Sequence, residues 1–85
     1  MAERETTVGA EEGIHGRPAA QIVKAAKGFS SQVVFIKGDR EVNAKSVLKI
    51  TGLAKKGEKL TIRAEGDDAE QAVETLADLI SSDEH

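Results

Sequence analysis

The sequence predicts an α+β domain in which helices cover one side of an antiparallel sheet and leave the other side wet. Three observations carry this. Residues 33–36 and 60–64 have β-strand patterns, residues 19–26 and 69–80 have helical apolar spacing, and each helix has a single apolar face. The element order reads β-α-β-β-α-β-α over one domain, residues 1–85, because a chain of this length supports one modest core.

Residues 3–8 alternate weakly, and Thr6 and Val8 can face inward as an edge strand; Gly9 and Gly13 bracket a loop. Ala19, Ile22, Val23 and Ala26 recur at i, i+3, i+4 and i+7, the spacing of a buried helix stripe. Lys24 and Lys27 fall in its last turns. Gly28 is expected as a left-handed stop, with Phe29 folding back onto the helix. Val33–Ile36 is a strand, Gly38-Asp39-Arg40 a turn, and Glu41-Val42-Asn43 the partner strand. Ser46 is expected to cap, through its hydroxyl, a short helix ending near Gly52. Leu60, Ile62 and Ala64 alternate with polar residues as a strand buried on one face. Asp68 with Gln71 approximates a capping box before a helix whose stripe is Ala69, Ala72, Val73, Leu76 and Ile80.

Hydrophobic residues make up 39% of the chain and charged residues 32%, which fits a globular rather than a disordered protein. Trp and Tyr are absent and Phe occurs twice, so the core is aliphatic and a surface site is expected over a large cofactor cavity. The net charge of −3 and the scarcity of aromatics argue against nucleic acid as a partner. Without cysteine there is no disulfide, thiolate metal site or Cys nucleophile, in keeping with a cytoplasmic protein. The charged start, Met1-Ala2-Glu3-Arg4-Glu5, lacks the apolar run of a signal peptide, and no run reaches membrane-spanning length.

Gly13-Ile14-His15-Gly16-Arg17-Pro18-Ala19-Ala20 sets an imidazole and a guanidinium where a helix begins. A helix start presents unpaired N–H groups and positive dipole character, so anions are stabilised there. Pro18 costs the first turn no hydrogen bond. The amides of Gly16 and Arg17 are then the free donors nearest the ring, and Arg17 can fork two N–H groups onto phosphoryl oxygens. His15 reads as a nucleophile beside an anion hole, or as an ordinary polar cap. Ser46 reads as a helix cap or as a phosphorylation site that would repel acidic partners. Val47, Leu48 and Ile50 cannot all face the core from one short helix, so Leu48, with Val47, is expected as an exposed apolar contact. Residues 52–59 nearly spell a phosphate-binding loop. Glu58 stands where its lysine belongs and a strand follows, so the segment reads as a basic loop. His85 reads as a solvated terminal residue without metal partners.

Nearly the whole chain resembles the HPr family, the histidine-containing phosphocarriers of the phosphoenolpyruvate-dependent sugar phosphotransferase system. The resemblance rests on residues 13–20, on Asn43-Ala44-Lys45-Ser46-Val47-Leu48-Lys49 and on Ala64-Glu65-Gly66. It implies an open-faced β-sandwich with a four-stranded antiparallel sheet of order 1-4-2-3 and three helices on one face. It also implies that His15 accepts a phosphoryl group on Nδ1 from phosphorylated Enzyme I and passes it to a histidine on the IIA component of a sugar transporter, with Arg17 assisting. The implied interface comprises Gly16, Arg17, Ala20, Val47, Leu48, Lys49 and Thr51, with Lys24, Lys27 and Lys49 facing acidic partners. No metal, cofactor or membrane insertion is implied, and the expected state is a monomeric carrier rather than a turnover enzyme.

Departures from the family pattern are Gly16, where Ala or Thr is common, Lys49, Thr51 and a polar first strand. Lys49 and Thr51 match the enteric pattern, in which Ser46 is not regulatory, so regulatory phosphorylation of Ser46 is the weaker reading. The alternative function is a regulatory paralogue, in nitrogen-related or catabolite-control signalling, that binds partners according to its phosphorylation state.

Overall fold

The computed structural model describes residues 1–82; His85 lies outside them. The elements are β1 (Ala2–Thr7), α1 (Gly16–Lys27), β2 (Gln32–Lys37), β3 (Arg40–Asn43), α2 (Val47–Ile50), β4 (Lys59–Glu65) and α3 (Ala69–Ser81). The strands form one antiparallel sheet of order β1-β4-β2-β3. The three helices lie on one face of it, as expected.

The predicted stripes are the buried ones. Ala19, Ile22, Val23 and Ala26 of α1 are buried. So are the five stripe residues of α3, which Ala77 extends. From the sheet, Val33, Phe35, Leu60, Ile62 and Ala64 meet them, and Ile14 and Ile50 are buried in the same core. The outer face is mostly polar, with Val34 and Ile36 half-buried among its polar side chains. Across it run Glu3, Arg63, Val34 and Asn43 in register, and the Arg63 Nε donates to Glu3 Oε2 at 2.7 Å. The polar edge strand is thus tied to its neighbour by a cross-strand pair. Arg4 opposes buried Ile62 yet remains exposed, a charge on the core side of an edge that discourages further strand pairing.

Several local expectations are corrected. Strand β1 spans residues 2–7, so Val8, though buried, lies beyond it. Arg40 belongs to β3 and pairs with Lys37, which shortens the turn to Gly38-Asp39. Gly28 is right-handed (φ −74°, ψ −12°). The Gly28 and Phe29 amides donate to the Ala25 and Ala26 carbonyls, so α1 ends by tightening its last turn instead of reversing. Phe29 still packs against the core. Ser46 occupies the α2 N-cap position, but its hydroxyl makes no capping bond.

The capping box at α3 does not form either. The Asp68 carboxylate reaches across to the α1–β2 connection. It accepts the Ser30 amide at 2.9 Å, the Ser31 amide at 3.0 Å and a short bond from the buried Ser31 hydroxyl. A carboxylate that joins two connections through three donors is worth more to the tertiary structure than a local cap. The Ser31 hydroxyl above all, then the Ser30 and Ser31 amides, lowers the Asp68 pKa from 3.8 to about 2. The contribution is therefore complete above the unfolded value and is lost as pH falls from about 4 towards 2. Thermal unfolding of Asp68→Asn, followed by circular dichroism, is expected to show a lower Tm than the wild type at pH 7. The gap should narrow as pH falls through this window.

Candidate functional site

The segment before α1 is held at both ends by the α2–β4 connection. At the near end, the Val8 amide donates to the Glu58 carbonyl and the Gly57 amide to the Val8 carbonyl, each at 2.9 Å. At the far end, the Ile14 amide donates to Ala54 O at 3.0 Å and the Gly52 amide to Ile14 O at 2.7 Å. With the Ile14 side chain buried, His15 emerges from a fixed peptide.

His15 stands at the N-cap position of α1 in extended conformation (φ −140°, ψ 157°) and is exposed. Its side chain makes no capping hydrogen bond, so the role of polar cap is not realised. The amides of Gly16 and Arg17 donate to no acceptor among the described residues and face no competition from Pro18, which has no N–H. Gly16 is left-handed (φ +49°), and a Cβ there would meet nothing within 4 Å. The sharp reversal into the helix therefore favours glycine for backbone reasons alone.

Helix α2 packs beside α1. Ile50 is fully buried, while Leu48 is 87% exposed and Val47 42%, so one short helix presents an apolar projection to solvent as its composition predicts. Thr51 is exposed, and its hydroxyl donates to Val47 O at 2.6 Å, which closes the end of α2. Ser46 is half-buried. Ala20, Lys24, Lys27 and Lys49 are exposed.

Charge divides the surface more sharply than the lysines expected to face acidic partners suggest. Residues 13–37 and 42–57 contain no Asp or Glu. Helices α1 and α2 therefore carry only neutral and basic side chains, within a chain of net charge −3. Arg17, Lys24, Lys27 and Lys49 make no ion pair among the described residues, whereas Lys37, Lys56, Lys59 and Arg63 are paired. Unpaired cations on the two helices, one of which also exposes Leu48, attract an acidic surface. The signal was available as two long acid-free stretches.

Gly52 is a feature whose place the sequence reading did not foresee, having taken it as the end of α2 and the start of a basic loop. It is left-handed (φ +79°), and a Cβ built there would lie 3.8 Å from Cε1 and 3.9 Å from Nε2 of His15. The connection after α2 thus runs beside the imidazole. Among the described residues no three His, Asp or Glu side chains gather as a metal site, and no helix is long and apolar enough to cross a membrane.

The model of the family described as "PTS HPr component phosphorylation site" matches residues 2–82. Phosphocarrier protein HPr of Haemophilus influenzae is 46% identical over 81 residues, which cover 94% of this chain and 95% of that protein. Among solved structures, HPr-C-His from Thermoanaerobacter tengcongensis superposes with a TM-score of 0.91 at 42% identity, covering 96% of this chain and 93% of its own. An HPr dimer from the same organism matches with a TM-score of 0.68 at 40% identity, covering 94% and 93% of the two chains. A match along nearly the whole chain, with sheet order, helices and histidine segment all in place, makes this protein a member of the HPr family of phosphotransferase-system phosphocarriers.

Proposed function

We propose that this chain is a cytoplasmic phosphoryl carrier in which His15 accepts a phosphoryl group on Nδ1 from phosphorylated Enzyme I and delivers it to the IIA component of a sugar transporter. The observation that carries this reading is an exposed imidazole, free of any capping bond, beside two backbone amides with no acceptor. Those amides and the Arg17 guanidinium supply hydrogen bonds to phosphoryl oxygens, which favours the charged group while it is held. The Nδ1 lone pair forms the P–N bond as the donor's bond to phosphorus breaks and its electron pair stays with the donor. Attack by the next acceptor breaks that P–N bond and returns the pair to Nδ1.

The chain contributes position and anion contacts, and its partners supply most of the catalysis. It works as a monomer with transient interfaces on α1 and α2, which carry the exposed cations Arg17, Lys24, Lys27 and Lys49 together with the apolar Leu48. Incubation with Enzyme I, magnesium and phosphoenolpyruvate should add one acid-labile phosphoryl group. Restored sugar uptake in a strain lacking its own HPr separates a transport carrier from a dedicated regulator; absence of labelling would refute both.

Leu48→Glu tests the docking surface. Leu48 is almost fully exposed, so the change should leave stability within about 0.5 kcal/mol of wild type. It places a buried charge in the interface and should weaken binding of Enzyme I at least tenfold, about 1.4 kcal/mol, by calorimetric titration. Unchanged affinity would remove Leu48 from the interface.

A further inference from the structure

We propose that Gly52 is a positioning residue for the His15 imidazole, an inference that rests on the reading of His15 as the phosphoryl acceptor. The ring makes no capping bond, so its placement depends on the backbone that carries it and on what it lies against. Gly52 holds that backbone and borders the ring. Its amide donates to Ile14 O at 2.7 Å, fixing the peptide directly before His15. Its Cα leaves the space beside the ring empty to the width of one methyl group. A Cβ there would touch Cε1 at 3.8 Å and Nε2 at 3.9 Å, and no other ring atom within 4 Å. The Cε1–Nε2 edge therefore faces Gly52, and Nδ1 lies away from it.

A side chain at residue 52 would act twice. At φ +79° an L-residue is strained, so the backbone would turn and disturb the bond to Ile14. The new methyl would also fill that space and lie in van der Waals contact with the Cε1–Nε2 edge, so the ring would be carried along by any turn of the backbone at residue 52. Transfer needs the reacting atoms aligned, and a displacement of about 1 Å costs up to about 100-fold in rate.

Gly57 provides the control. It lies in the same connection, is left-handed (φ +87°), donates its amide to Val8 O at 2.9 Å, and has open space where a Cβ would go. Gly52→Ala and Gly57→Ala should lower Tm by similar amounts. The His15 ring resonances, assigned by their loss in His15→Asn, should shift and broaden in Gly52→Ala and stay at wild-type positions in Gly57→Ala. Phosphoryl uptake from phosphorylated Enzyme I should slow about 10- to 100-fold in Gly52→Ala, with KM for Enzyme I unchanged, and hold in Gly57→Ala. If Gly52→Ala fails to fold, Gly52→Asn, which tolerates the left-handed region better, takes its place. Ring resonances or uptake rates that do not distinguish the residue 52 and 57 variants would overturn the proposal. Should the wild type itself take up no phosphoryl group, the function proposed for His15 fails, while the ring resonances still decide whether Gly52 positions the ring.

Discussion

His15→Asn should fold as the wild type does and lose phosphoryl uptake by at least about a thousandfold, the scale on which removal of a nucleophile acts. The two halves of this result have separate causes. Stability should change by no more than about 0.5 kcal/mol, because the ring is exposed and makes no capping bond. Asparagine is also among the best residues at a helix start. The carboxamide has no nucleophilic ring nitrogen, although the Gly16 and Arg17 amides remain in place. Acid-labile labelling with phosphoenolpyruvate, magnesium and Enzyme I reads the second half, and a thermal melt reads the first. Normal labelling of His15→Asn would remove His15 from the reaction. A large loss of Tm would instead return it to a structural role.

Phe35→Ala should come close to unfolding the domain. Phe35 is completely buried on β2 between β3 and β4, while the other phenylalanine, Phe29, is only partly buried. A Phe to Ala truncation in a packed core costs about 3–5 kcal/mol. At about 0.05–0.15 kcal/mol per residue, the whole 85-residue chain holds about 4–13 kcal/mol. The change therefore removes a large share of the total, since aliphatic neighbours cannot close a hole the size of a phenyl ring. Tm by circular dichroism should fall by at least about 12 °C. A drop of only a few degrees would mean that the core collapses around the cavity far more readily than this packing suggests.

Both results follow from features visible in the chain itself. The helical stripes of α1 and α3 and the alternation of β4 were readable because they repeat within a short window, and every stripe residue named from spacing is buried. The His15 segment was readable because a helix start, a proline in its first turn and an arginine lie within four residues. Leu48 was readable by exclusion, since α2 has one buried side and three apolar residues. Failures gathered at the caps. Ser46, Asp68 and Gly28 each have the residue type that a local rule asks for, and none follows that rule. Asp68 shows why: its oxygens had a choice between the α3 amides and the Ser30–Ser31 connection, some 37 residues earlier. Only the packed fold brings that second set of donors within reach.

The sequence by itself determined the order of elements, the face each one buries, the place of His15 at a helix start beside the Gly16 and Arg17 amides, and the exposed apolar residue of the second helix. These depend on spacing within one element, where geometry is set by the backbone period. The tertiary structure alone decided that Gly52 runs beside the His15 ring, that its amide fixes the Ile14 peptide, and that Asp68 joins two connections. Those arrangements pair groups far apart in the chain, and no local period encodes which donor will meet which acceptor once the sheet has formed.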